Sequence, residues 1–163
     1  MSGHDDTQEC CPEFDPKPWD YTTHNWVDKP FIKDCIKQFL HMPLPSQYAK
    51  VIGRMWKKAQ DSGAAPEMKD FMILAYDPSP RKSELYMSVT KEVPGAENVK
   101  FTGTFISKVF DGPYNHVPKY LNEFRRYLVL KDLKAKKYYF YYTYCPKCAK
   151  KYGHNYIVAF AEI

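Results

Sequence analysis

The sequence predicts an α+β domain made of two successive β-α-β-β halves that form one sheet, with both helices on one face and a cleft between the halves. Two helical periodicities are each preceded by one strand pattern and followed by two. Corresponding elements recur at an offset of about 70 residues, the mark of an internal duplication. The length of 163 residues suits one domain with its own core. Such halves form α+β layers, and the groove between them is the natural ligand site.

Residues 1–29 read as an extended arm packed on the body. Pro12, Pro16 and Pro18 break regular structure, while Phe14, Trp19 and Trp26 are apolar enough to dock, and the arm with Trp26 can roof a pocket. The body, 30–163, divides into halves at about 30–95 and 96–163. Phe31 to Met42 alternates as a strand, stopped by Pro43 and Pro45. Ser46 is a good N-cap for a helix to about Asp61, with Tyr48, Ile52, Met55, Trp56 and Ala59 at helical spacing. Phe71 to Tyr76 is a buried strand, Asp77-Pro78-Ser79-Pro80 a turn, and Leu85 to Val93 a strand.

The second half repeats the order. Val99 to Phe110 is a strand and Asp111-Gly112-Pro113 a turn. A helix from about Asn115 to Leu128 has Val117, Leu121, Phe124 and Leu128 on one face. Tyr138 to Tyr144 is an aromatic strand. A loop with Cys145-Pro146-Lys147-Cys148 leads to a last strand, Tyr156 to Ile163. Trp56 and Phe124 fall in the helical core stripes.

Composition narrows the function classes. Hydrophobic residues are 44% and charged residues 26%, so the chain folds rather than staying disordered. The net charge of +5 is mild and the lysine pairs are scattered, so no phosphate-tracking stripe is built and no nucleic-acid partner is expected. The polar first residues lack a leader's apolar region, and no run of 18 apolar residues could span a membrane. Five cysteines, an odd number, argue for a reducing cytoplasm rather than a disulfide framework. A monomer or homodimer is expected, with a small molecule as partner.

Aromatic residues reach 17%, with 14 tyrosines. Rings with a polar tip suit pocket walls as well as strands. Tyr142 and Tyr144 share one strand face. Tyr48 and Tyr114 stand at matching starts of the two helices, where they can line the cleft ends. Glu84 and Glu162 lie on strands. A carboxyl buried among rings has a raised pKa and can act as general acid or base, with Tyr144 as aromatic partner.

Cys145 and Cys148 have the spacing of half a zinc site, with Cys10, Cys11 or His154 as further ligands, so Zn²⁺ is the one cofactor the sequence brings forward. A thioredoxin-type dithiol fits less well, since too little chain follows Cys148. His41, His116 and His154 are isolated. No G-x-S-x-G, P-loop or H-E-x-x-H motif occurs.

The motifs Val109-Phe110-Asp111-Gly112-Pro113-Tyr114 and Tyr76-Asp77-Pro78, with the duplicated layout, resemble the GyrI-like small-molecule-binding domain (SOUL or effector-binding fold) over roughly residues 30–163. The resemblance implies a cleft that takes aromatic or cationic molecules. It also implies a rival activity, since some stand-alone members are hydrolases that open electrophilic cyclopropane rings with a carboxylate and an aromatic partner. The family commonly has a Glu-x-Tyr pattern in the third strand of the second half. Here Tyr141-Tyr142-Thr143-Tyr144 holds no acid. A stand-alone binder, a hydrolase of electrophilic genotoxic compounds and a zinc-stapled interaction module are the three functions expected.

Overall fold

The computed structural model describes residues 13–39, 42–43, 45–79, 81–144 and 146–163. The strands are β1 (Thr22–Phe39), β2 (Met42–Pro43), β3 (Ile73–Ser79), β4 (Lys82–Ser88), β5 (Glu97–Asp111), β6 (Lys137–Tyr142) and β7 (Tyr156–Glu162). The helices are α1 (Pro45–Asp61), α2 (Val117–Leu130) and α3 (Pro146–Tyr152). Among the described residues no helix is long and apolar enough to cross a membrane.

All strand pairs are antiparallel, in the order β1-β4-β3-β6-β7-β5. β5 then pairs back onto β1, from Thr22↔Ser107 to Lys33↔Glu97, so six strands close into a barrel and β2 adds only a short hairpin to the end of β1. Closure removes the sheet edges that an open layer would expose.

It rests on the 18 residues of β1, whose first part pairs with β5 and whose last part pairs with β4. A bulge between Trp26 and Lys29, with Asp28 at φ 48°, bends the strand from one partner towards the other. The strand expected from Phe31 therefore begins at Thr22, inside the stretch read as arm. Val27 and Asp28 are the bulged residues, and Lys29 and Pro30 resume the register with Phe101 and Lys100.

Alternation along the strands sorts side chains between interior and exterior. Phe31, Tyr86, Phe101, Phe105, Tyr139 and Phe160 meet in the interior, with Phe105 and Tyr139 6.3 Å apart. Outside, Val51, Met55 and Ala59 of α1 are buried with Ile32, Ile36, Leu85 and Met87. Tyr120, Phe124 and Leu128 of α2 cover Ile106, Phe110, Ile157, Ala159 and Ala161. Phe124 is fully buried, as its place in the helical stripe predicts; Trp56 is half-buried and stands edge-on to Phe71 at 5.4 Å.

Gly112 has a steric reason in this second core. A Cβ there would overlap the Tyr120 hydroxyl, which donates to Pro113 O at 3.2 Å while its ring stacks on Phe110 at 4.8 Å. The backbone of Gly112-Pro113-Tyr114 is thus set against α2, and a single 3-10 turn, Tyr114–His116, leads into the helix.

The expected loop after Cys145 contains α3 instead. Pro146 begins it, as suits a residue without an N–H to satisfy, and Lys150 and Lys151 fall in its last turn, at the negative end of the helix dipole.

Candidate functional site

Two groups of polar and aromatic side chains stand out, one inside the barrel and one outside. The interior group is centred on β4. The Tyr86 hydroxyl donates to Glu84 Oε2 at 2.7 Å, and Lys33 Nζ lies 3.3 Å from Glu84 Oε1. These chains share the interior because Glu84 and Tyr86 are two apart on one strand and Lys33 is paired with Tyr86 on the next. Lys137 Nζ sits over the Tyr76 ring at 4.1 Å, and Tyr76 is 5.8 Å from Tyr139. Glu162 pairs with Lys137 across β6 and β7.

Burial alone would raise the Glu84 pKa, and it is the largest single influence. The hydrogen bonds from Tyr86 and Lys33, with the charges of Lys33 and Lys137, together outweigh it and hold the carboxyl below its ordinary value. The raised pKa expected for a buried acid is therefore reversed. Glu84 is an ionised acceptor at neutral pH. Tyr86 is held protonated by burial first and then by its bond to Glu84, and burial, followed by the charge of Glu162, does the same for Tyr139.

The resemblance places a Glu-x-Tyr in the second half. The structure has that spacing in the first half, as Glu84-Leu85-Tyr86, and its two ends are hydrogen-bonded. The pairing expected between Glu84 or Glu162 and Tyr142 or Tyr144 does not form. Tyr142 lies with Tyr138 and Phe140 on the exterior face of β6, whereas Glu84 and Tyr86 face the interior with Tyr139.

The exterior group is made of tyrosines. The Tyr114 and Tyr142 rings are 5.8 Å apart, and the Tyr114 hydroxyl donates to Tyr144 O. Tyr48, at the start of α1, feels the field of Tyr142 and Tyr114; burial first, then these neighbours, raise its pKa. The Tyr142 hydroxyl is pushed up to about 12 by burial, then by Asp77 and Tyr114. Asp77 belongs to the Tyr76-Asp77-Pro78 motif, and Tyr114 to Gly112-Pro113-Tyr114. Tyr48, Tyr114 and Tyr142 are all incompletely buried, with Tyr114 38% exposed. Three tyrosines from α1, the turn before α2, and β6 thus lie near one another, none of them fully buried. The cluster presents phenol rings, with the Tyr114 hydroxyl already engaged by Tyr144 O.

The remaining expected residues lie elsewhere. Trp26 packs in the interior, 4.4 Å from Phe105 and 5.9 Å from Phe31. The Tyr144 hydroxyl accepts the Phe14 N–H at 2.7 Å, and its ring stacks on Tyr152 at 4.8 Å. Phe14 and Trp19 both lie against Tyr141, so this stretch is docked on one end of the barrel. Cys10, Cys11, Cys145 and His41 lie outside the described residues. Cys148 is buried in α3, and no group of three metal-ligating side chains occurs among the described residues. His154 Nδ1 donates to Asp111 Oδ2 at 2.6 Å, a pairing that the sequence does not signal.

The fold defined by this barrel and its helices recurs in solved structures. The chain is similar to the EcmrR C-terminal domain, with a TM-score of 0.63 and 11% identity over 88% of this chain and 96% of that one. It is similar to an uncharacterized conserved protein from Listeria innocua, with a TM-score of 0.60 and 8% identity over 86% and 90%. A hydrolase from Listeria innocua matches with a TM-score of 0.59 and 8% identity over the same shares. No curated protein matches the sequence. By its sequence the chain belongs to the family described as bacterial hydrolase, whose model matches residues 1–163.

Proposed function

We propose that this chain binds small aromatic molecules on the tyrosines Tyr48, Tyr114 and Tyr142, in a groove between two equivalent halves of a GyrI-like domain. The observation that carries the reading is the convergence of these three rings from separate elements beside Asp77. The strand order supports the equivalence, because β1-β4-β3 and β5-β7-β6 repeat one pattern outward from their joins. The join of β3 to β6 has one registered pair, Ala75↔Phe140, against six for β6 with β7, so the sheet is most open beside Tyr142. Stacking gives the affinity and the phenols orient polar substituents. The test is a fluorescence titration with 2-naphthol. Saturable binding that weakens about tenfold in Tyr142→Ala, equivalent to about 1.4 kcal/mol, supports the reading. Equal affinity in a folded Tyr142→Ala protein overturns it.

The second reading is hydrolysis, favoured by the bonded Glu84–Tyr86 pair and by the family to which the chain belongs. Glu84 would act as general base, taking a proton from a water that adds to an electrophilic ring carbon as the strained carbon–carbon bond breaks. The carbon released from that bond then takes up a proton. Mass spectrometry of a cyclopropane-containing alkylator should find a product heavier by one water. Turnover undiminished in Glu84→Gln would sink this reading.

A further inference from the structure

A second groove, of about 510 Å³, lies between the 13–17 stretch and the α3–β7 end of the barrel. Its walls include Phe14, Tyr144, Tyr152 and Tyr156, together with the carboxylates Glu13 and Asp15. Tyr144 and Tyr152 stack on each other, whereas Tyr156 is inclined both to Tyr144 and to Phe14. Tyr156 lies 6.0 Å from Tyr144 at 50° and 5.7 Å from Phe14 at 48°. Phe14, Tyr152 and Tyr156 are half-buried and border this space, with the buried Tyr144 ring behind them.

The walls are held in place. The Phe14 N–H bonds the Tyr144 hydroxyl, and Asp15 Oδ1 accepts the Lys17 N–H at 3.1 Å. His154 stacks on Tyr156 at 5.1 Å and is fixed by Asp111, whose other oxygen accepts the Asn155 N–H at 2.9 Å. Lys17 is the one lysine of the lining. Glu13 and Asp15 in the lining and Asp111 beside it outnumber Lys17 and the neighbouring Lys151, whose Nζ lies 5.9 Å from the Tyr152 ring. The field is negative enough to reach Tyr156, whose hydroxyl is raised by burial first and then by Asp111, Asp15 and Glu13.

Aromatic faces next to exposed carboxylates suit one ligand chemistry. A quaternary ammonium is large, weakly hydrated and unable to donate hydrogen bonds, so it is held by ring faces and balanced by nearby anions. A metal ion would need converging ligands, and no such group occurs here among the described residues. We propose that this groove binds a small quaternary ammonium compound, with its head against Phe14, Tyr152 and Tyr156 and its charge balanced by Glu13 and Asp15. The site is separate from Tyr48, Tyr114 and Tyr142 and does not depend on their binding anything.

The test compares choline with 3,3-dimethylbutan-1-ol, which has the same shape without the charge. The full chain is titrated with each at low ionic strength, with NMR as the readout. Choline should bind saturably and at least about tenfold more tightly than the alcohol, since a desolvated cation over rings is worth about 1–2 kcal/mol. Tyr152→Leu should weaken choline several-fold. Asp15→Asn, at an exposed position, should weaken it by a smaller factor that shrinks as salt is added. No saturable choline binding, or equal binding of the alcohol, overturns the proposal. Choline affinity unchanged in Asp15→Asn and in a folded Tyr152→Leu protein would do the same; if Tyr152→Leu does not fold, Asp15→Asn decides.

Discussion

The barrel interior and the exterior tyrosine cluster use the same side chain in opposite settings. Tyr139 in the interior is 2% exposed and enclosed by Tyr86, Phe101 and Phe105. Tyr142, three residues along the same strand, stands half-buried beside Tyr114 and acts on the Tyr48 hydroxyl. Both hydroxyls are held protonated by burial. The interior ring fills space between strands, whereas the exterior ring remains partly exposed. Strand parity makes the difference, and a one-residue shift would exchange the two roles.

The sharpest way to break this comparison is to truncate each ring. Tyr139→Ala should destabilise the fold by about 3–5 kcal/mol, as removal of a fully buried aromatic does. Tyr142→Ala should cost about 1 kcal/mol, read by denaturant unfolding. Equal losses would mean that both rings are core.

A smaller effect is expected where the interior is charged. Lys33→Met leaves Glu84 with Tyr86 but without its cation, and both ionic side chains retain some exposure, 20% and 14%. About 1–2 kcal/mol should be lost, with much of it regained when Glu84→Gln is added. No recovery in the double variant would show that the lysine acts by packing alone.

The smallest effect concerns His24, whose Nε2 lies 2.7 Å from Ser107 Oγ under Trp19. Burial first, then Lys29, lowers its pKa below the ordinary 6.5. The unfolded chain therefore binds the proton at higher pH than the folded one. Stability should fall as pH drops through 6.5 towards the folded value, and His24→Gln should flatten that part of the profile. An unchanged slope in the variant would contradict the assignment.

Much of this fold was legible locally. The 3.6-residue pattern after Ser46 and the alternation in Val99 to Phe110 both lie in observed elements, α1 and β5. Closure was not legible, because Thr22 and Ser107 are far apart in sequence and no local signal joins them. The start of β1 was hidden by the bulge at Val27 and Asp28 and by Pro30 just after it, and α3 by its shortness, although Pro146 followed by Lys150 and Lys151 is a start and stop signal. In the sites, Tyr48, Tyr114 and Tyr142 could be grouped from their positions in matching elements. Tyr86 could also have been found, since Glu84-Leu85-Tyr86 puts an acid and a phenol on one strand face. Its lysine partner could not, because Lys33 arrives through cross-strand register. The His154–Asp111 pair likewise depends on the way β5 meets β7.

The central claim is that the exterior tyrosines, and not the interior ones, receive a ligand. It is tested most directly by NMR of the labelled tyrosine rings during titration with 2-naphthol. Resonances of Tyr48, Tyr114 and Tyr142 should move together along one binding curve while those of Tyr86 and Tyr139 stay fixed. Movement of Tyr86 and Tyr139 with the exterior three unchanged would contradict it and would move the binding site into the barrel.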